Sequence, residues 1–338
     1  RLVVALLWAG SLFVPRAFVV ELFLHAFAAI NITYVTLVVS LPLIGVTALI
    51  GGRRCRGIKL SGAVRVMSVV LLLPAAVGVY ATFVEPFRLQ LERADIPVSS
   101  QRLGSAPIHV GVLADIQAAH VTNYEISAVE QLMSLKPDII LLPGDVFQGD
   151  DVAFARETPA LHDLMARLSA PGGVYCVLGN VDRRERLERI MEGTHVRLLV
   201  NETVEVEIRD RRLTIGGIEL KCISIAARKI VSDMEAAGEA GDIRILLSHL
   251  PDAVRLLRPG TRIDLTVAGH THGGQVVIPF FGPPVTLSAV PRSVAAGGHH
   301  VLVGRHLYVS RGVGCERGLA PRIRFLCPPE ITLLTLGD

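Results

Sequence analysis

The sequence predicts an α/β protein: a four-layer α/β/β/α sandwich of two packed sheets, one largely parallel and one mixed, preceded by N-terminal transmembrane helices. Three observations predict it. From about residue 106, short apolar runs alternate with stretches of helical period, the signature of βαβ units with helical cover. After Leu198 the pattern changes to strict alternation in VEVEIRDRRLTIGGI, a hairpin that opens a second sheet. Ahead of residue 85, two long stretches carry no charge at all.

Those stretches are Ala26–Gly52, charge-free for 27 residues, and Val66–Val84, charge-free for 19. Each is long enough to cross a hydrocarbon core of about 30 Å. Leu2–Pro15 is a shorter apolar run and reads as a partial span. A signal peptide is the competing reading of Val66–Val84, but it would begin behind another span, and no small-residue cleavage site follows it. Between the two strong spans, Arg53, Arg54, Arg56, Lys59 and Arg65 stand without an acidic residue. Basic loops of this kind stay in the cytoplasm, so the domain beyond is expected outside it, on a multi-pass cell-membrane protein.

Residues 86–105 read as a polar linker, helical at first and irregular near Pro97. The domain proper is expected over 106–338. A strand at 108–114 leads to a helix at 124–135, which Thr122 or Asn123 can cap. A strand at 138–142, a helix at 152–168 and a strand at 174–178 follow, and the helix RRERLERIMEG stops at Gly193. The hairpin turns near Asp210-Arg211. Further strands are expected near 220–226, 243–248, 263–267, 275–279, 301–309 and 330–336, with one or two helices among them.

Composition excludes several functions. The net charge is +3, and no basic stripe with interleaved aromatics is present, so nucleic-acid binding is not expected. Five cysteines occur without a CxxC pair, which argues against a thiolate zinc site. Cys176 and Cys222 fall in apolar runs and read as buried, whereas Cys315 and Cys327 could pair in a domain outside the cell.

Chemistry is carried by five segments that end alike. IHVGVLAD stops at Asp115, IILLPGD at Asp145, VYCVLGN at Asn180, IRILLSH at His249, and LTVAGHTH at His270 and His272. Open α/β sheets bind ligands beyond the carboxyl ends of their strands, so these six side chains would meet on one rim. Any one of them alone reads better as a helix N-cap or a loop polar group. Oxygen and imidazole donors without thiolate suit Mn, Fe or Zn, and a shared carboxylate is typical of two-metal hydrolytic sites.

The order Asp115, Gly144-Asp145, Gly179-Asn180, His249, Gly269-His270-Thr271-His272 resembles the calcineurin-like metallophosphoesterases, in particular a membrane-associated, YkuE-like bacterial branch. GHTHGGQ (269–275) is its most specific block. SRGVG (310–314), PR (321–322) and PPEI (328–331) resemble the C-terminal strand region of that branch, so the likeness spans about 106–336. It implies two divalent transition metals. Asp115, Asp145 and His272 would hold one, and Asp145 would bridge to a second held by Asn180, His249 and His270. Two blocks depart from the family. Asp-x-His is here Asp115-Ile116-Gln117, and Gly-Asn-His-Asp is Gly179-Asn180-Val181-Asp182. Gln117 is thus a weak ligand where imidazole is expected, and the histidine that assists the leaving group is absent. No catalytic residue is assigned, and the candidates are His120, which reads better as a polar loop histidine, and Asp182, which could orient a metal ligand but reads at least as well as the cap of the following helix. His299 and His300 read as surface residues of a loop, and Phe280-Phe281 as core or loop packing or as contacts for an acyl chain.

Three function classes follow. The first is a membrane-anchored phosphoesterase, acting with a metal-activated water on a phosphate ester or pyrophosphate, a lipid-linked one included. The second is a degenerate phosphoesterase that binds metal and ligand without turnover, favoured by Gln117 and Val181. The third is a transporter, which spans without intramembrane charge pairs support poorly. Protein partners are not legible in the sequence.

Overall fold

The computed structural model describes residues 16–54, 61–98, 102, 106–237, 241–302, 304–316, 318 and 320–337. It divides into two compact units, one of residues 1–84 with 316–322 and one of 85–315 with 323–338. The partial span expected over 2–15 lies outside the described residues.

The first unit is apolar helix. α1 (Arg16–Arg54) precedes α2 (Gly62–Val70) and α3 (Leu73–Val79), and Ser61 caps α2 by accepting from the Val64 N–H. Residues 25–51 and 62–87 are each long and apolar enough to cross a membrane. The Tyr34 hydroxyl joins them, donating to the Gly78 carbonyl at 3.1 Å and lying 2.7 Å from Thr82 Oγ1.

In the second unit, backbone pairing builds two six-stranded sheets. The first has the order β1-β12-β2-β3-β4-β5, from Gln90–Pro97, Glu330–Gly337, Ile108–Val112, Ile139–Leu142, Val174–Cys176 and Val196–Leu198. The second runs β10-β11-β9-β8-β7-β6, from Gly298–Leu302, Arg305–Val309, Leu265–Ala268, Ile243–Leu247, Arg211–Gly217 and Glu202–Ile208. Both are mixed: β2 to β5 run parallel, β12 lies antiparallel to β2, and β6 and β10 are antiparallel edges.

Strand side chains alternate between faces, and this alternation makes the layers. On β3, Ile139 and Leu141 join Val110, Val112, Ile215, Ile245, Leu247 and Val267 between the sheets. Ile140 and Leu142 instead face Val129 and Leu132 of α4 (Asn123–Ser134) and Leu161 and Met165 of α5 (Asp151–Ala166). Leu187 and Ile190 of α6 (Arg184–Met191) complete that outer layer. On the far side, α7 (Ile225–Ala236) and α8 (Arg292–Ala295) cover Leu246, Ala268, Leu307 and Val309. The arrangement is the expected four-layer sandwich.

Several elements differ from expectation. The stretch read as a helical linker contains β1, which pairs in parallel with β12 from Gln90↔Glu330 to Pro97↔Gly337. Its Glu92, Arg93 and Asp95 are edge-strand charges, which guard an open sheet edge and hide the strand from a hydrophobicity reading. No strand forms at 220–226. Ser224 there accepts from the Ala227 N–H and starts α7. The expected strand at 275–279 makes only single bridges, Val276↔Phe325 and Ile278↔Gly282. The run 301–309 is part of a hairpin, β10 and β11, so His299 and His300 sit on a strand rather than in a loop. Cys315 and Cys327 do not pair: both are buried free thiols, as are Cys176 and Cys222.

Candidate metal centre

Each candidate ligand lies two to four residues past the end of a parallel strand. Asp115 follows β2, Asp145 β3 and Asn180 β4. His249 follows β8 of the other sheet, and His270 and His272 follow β9. The carboxyl edges of both sheets therefore feed one cluster. To turn inward so soon, the backbone enters the left-handed region at Asp115 (φ 48°), Gln117 (42°), Asp145 (55°), His270 (71°) and His272 (48°). Non-glycine residues rarely occupy that region, and such strain concentrates at functional sites. Two glycines make the approach possible. A Cβ on Gly179 would lie 2.0 Å from Asp145 Oδ1, and one on Gly269 would lie 2.3 Å from Asp115 Oδ2.

Ligand atoms of Asp115, Asp145 and His249 fall within 4.8 Å of one another, and all three residues are buried. His249 presents its Nδ1–H to the Pro143 carbonyl at 2.8 Å, which leaves Nε2 as a lone pair. That lone pair lies 2.8 Å from Asn180 Oδ1 and 3.5 Å from Asp145 Oδ2. His270 directs Nε2 to the Leu287 carbonyl at 3.3 Å, so its Nδ1 is the free lone pair, 2.8 Å from Asn180 Oδ1 and 3.2 Å from His249 Nε2. Three electron pairs thus converge beside a carboxylate. His272 Nε2 is buried without a hydrogen-bond partner, 3.8 Å from Asp115 Oδ1. Buried polar atoms almost always find partners, and one aimed at a carboxylate cluster fits a cation. The donor set therefore fits two divalent ions.

Protonation follows from crowding. Burial, then the charge of Asp145, pushes the Asp115 carboxyl well above its usual range. Burial lowers His249 to about 4, and burial with His249 nearby lowers His270 to about 4. Burial, then the Arg324 guanidinium, holds His272 well below its usual value. Neutral imidazoles are the ligating form, and a bound cation reverses the penalty on the carboxylates.

Gln117 is in the cluster, but its Nε2 donates to Asp145 Oδ2 at 3.1 Å, so its amide faces the carboxylate as a donor. Asp182 is not the cap of α6. The cap position belongs to Arg183, and Asp182 accepts the backbone N–H groups of Asp145 (2.6 Å), Gly179 (2.9 Å) and Val146 (3.0 Å). It ties the Asp145 loop to the Asn180 loop. Val181 contributes only its N–H, to Asp145 Oδ1 at 2.9 Å. His120 is turned away, its Nδ1 3.1 Å from Glu157 Oε1 on α5. His299 lies 2.8 Å from His306 across the β10–β11 hairpin, and His300 meets the Gly297 carbonyl. None of these three histidines joins the cluster.

Sequence reasoning missed the supports behind the ligands. Fully buried Arg324 donates to the carbonyls of Arg311, Gly312, Gly314 and Cys327 and lies 3.4 Å from His272 Nδ1. It holds the SRGVG turn, whose Val313 and Gly314 N–H groups bind the Ala114 and Asp115 carbonyls. Cys327 Sγ donates to the His272 carbonyl, and its own N–H is held by buried Glu85. The PR and SRGVG blocks signalled this region without indicating its purpose.

Residues 108–274 match the model of a family described as calcineurin-like phosphoesterase. The uncharacterized metallophosphoesterase YkuE of Bacillus subtilis is 29% identical over 272 residues, 76% of this chain and 88% of that protein. Phosphodiesterase YaeI of Escherichia coli is 28% identical over 247 residues, 69% of this chain and 83% of that one. Among solved structures, a dimetal phosphatase of Danio rerio aligns with TM-score 0.38 at 15% identity, over 62% of this chain and 88% of its own. An NAD nucleotidase of Haemophilus influenzae aligns with TM-score 0.43 at 14% identity, over 61% and 51%.

Proposed function

We propose that this chain, whose residues 108–274 match the calcineurin-like phosphoesterase model, is a metal-dependent phosphoester hydrolase anchored in a membrane and cleaving a phosphate ester or pyrophosphate outside the cytoplasm. One observation carries the chemistry: His249 Nε2, His270 Nδ1 and Asn180 Oδ1 lie 2.8–3.2 Å from one another, with His249 Nε2 3.5 Å from Asp145 Oδ2. Asp115, Asp145 and His272 would hold one divalent ion, with Gln117 lending its carbonyl oxygen once its amide turns. Asp145, Asn180, His249 and His270 would hold the second. Mn, Fe or Zn all match these donors.

When bound, two such ions acidify a water and neutralise phosphoryl oxygens. The chain's own residues prepare that step. Asp182 holds the Asp145 backbone N–H and the Val181 N–H binds the Asp145 carboxylate, while the Pro143 and Leu287 carbonyls fix the tautomers of His249 and His270. Exposed Asn180 marks the open side, where the phosphate enters. With valine at 181 and His120 turned away, the leaving group takes its proton from solvent. The five cations of the 53–65 loop support the outward orientation. Anchoring supports a lipid-linked phosphoester as substrate.

Binding of metal and ligand without turnover is the second reading, favoured by Val181. One experiment separates them: metal content of the purified full chain, with hydrolysis of mono-, di- and pyrophosphate esters in excess manganese. Metal with hydrolysis supports the enzyme, metal without hydrolysis the binding protein, and absence of metal overturns both.

A further inference from the structure

Residues 276–291, VVIPFFGPPVTLSAVP, form a stretch of sixteen without a single charge, directly after the histidine block. A loop of that composition belongs in a core, yet Ile278, Phe280, Phe281, Val285 and Leu287 are exposed. The exposure is built in. The Phe281 and Gly282 N–H groups both return to the Ile278 carbonyl, closing a tight turn, and Phe280 at its tip has φ 65°. A phenylalanine in the left-handed region is uncommon, and here the turn holds its ring fully in solvent. Behind the tip, the Arg292 guanidinium lies 4.3 Å from the centroid of the Phe281 ring. The loop is fastened to the metal centre, since the Leu287 carbonyl accepts from His270.

We infer that the turn 278–282 is a membrane-docking surface, inserting Phe280 and Phe281 into the bilayer beside the metal centre. Contiguous exposed apolar side chains mark interaction sites. The occupant follows from the rest of the chain. Two apolar helices of bilayer-spanning length precede the domain, and β1 begins at Gln90, three residues after the second ends at Phe87. A tether so short keeps the domain at the lipid surface, the nearest apolar phase. Aromatic rings suit the interfacial layer, and Arg292 behind them is complementary to anionic headgroup phosphates. The metal centre would then work at headgroup depth, which suits a phosphoester borne by a lipid. This inference rests on the membrane anchoring proposed above but not on hydrolysis.

The test is depth-dependent fluorescence quenching of the full chain in liposomes of phosphatidylcholine and phosphatidylglycerol with brominated acyl chains. Trp8, the only tryptophan, is first removed by Trp8→Phe. On that background Phe280→Trp reports on the loop, and Leu37→Trp on α1. Phe281→Trp serves as a second loop reporter should the ring at 280 disturb the turn. The expected result is a blue-shifted loop emission that loses most of its intensity to the bromines. Quenching at 37 without quenching at either loop position would overturn the docking while anchoring stood. Quenching at none would overturn both. A blue-shifted loop emission indifferent to bromine would mean that a protein surface covers the loop, which also refutes insertion.

Discussion

Replacing Asp182 by asparagine probes how the site is held together without touching a ligand. Its carboxylate accepts three N–H groups, two on Oδ2 and one on Oδ1. Asparagine keeps one oxygen, so at least one N–H faces an amide NH₂, and the remaining bonds lose their charge. Against that loss, burial and the nearby Asp145 charge push the Asp182 carboxyl up to about 7, despite the three donors. A carboxyl raised in the folded state contributes stability below its unfolded value near 3.8, and that contribution is lost as pH rises through about 7. In metal-free protein, then, Asp182→Asn removes this pH slope and relieves repulsion, which offsets the lost hydrogen bonds. With cations bound, the Asp145 charge is already neutralised, and only the loss remains. Removing a group that orients a ligand costs about 10–100-fold in metal affinity, or about 1.4–2.7 kcal/mol less metal-induced stabilisation. The assay is thermal unfolding with and without manganese between pH 4 and 8, with calorimetric metal titration. Equal manganese affinity and equal metal-induced shifts in Tm would refute the reasoning.

Other perturbations address single links. His270→Ala or Asp145→Asn should empty the second site by elemental analysis, and full retention in both would sink the ligand assignment. In excess manganese, Gln117→His should tighten the first metal, and Val181→His should raise turnover towards the about 10²–10⁴-fold that acid–base assistance is worth. Loss of activity in both would show that glutamine and valine are required. Glu157 is held at about 2 by hydrogen bonds from His120 and then Arg156. It therefore contributes stability above pH 4.5 that disappears as pH falls to about 2. Glu157→Gln should lower Tm at neutral pH and match wild type near pH 2, and a deficit persisting there would contradict the pairing. A reporter fused after residue 338 that is active only when exported should be active, and a cytoplasmic C-terminus would reverse the orientation.

The sandwich and its donor types were legible because both are written locally. Apolar runs such as 139–142 announce buried strands, and a side chain just past each run falls on the sheet's carboxyl edge whatever the rest of the chain does. Charged edge strand β1 was not legible, because its strand character comes from pairing with β12, some 240 positions away. The same holds for Ser224, whose cap outweighs the apolar run around it. Within the site, the sequence named the six metal-capable side chains, but not which lone pairs meet. That is decided by the Pro143 and Leu287 carbonyls, which choose the tautomers of His249 and His270. It also left Asp182 ambiguous between cap and clamp, since only the approach of the 145 and 179 loops supplies three N–H donors to one carboxylate. His120 looked well placed by number, and Glu157 draws it off. Short-range hydrophobic periodicity is a property of the chain; the partner of a polar atom, and the exposure of an apolar loop such as 276–291, belong to the packed molecule alone.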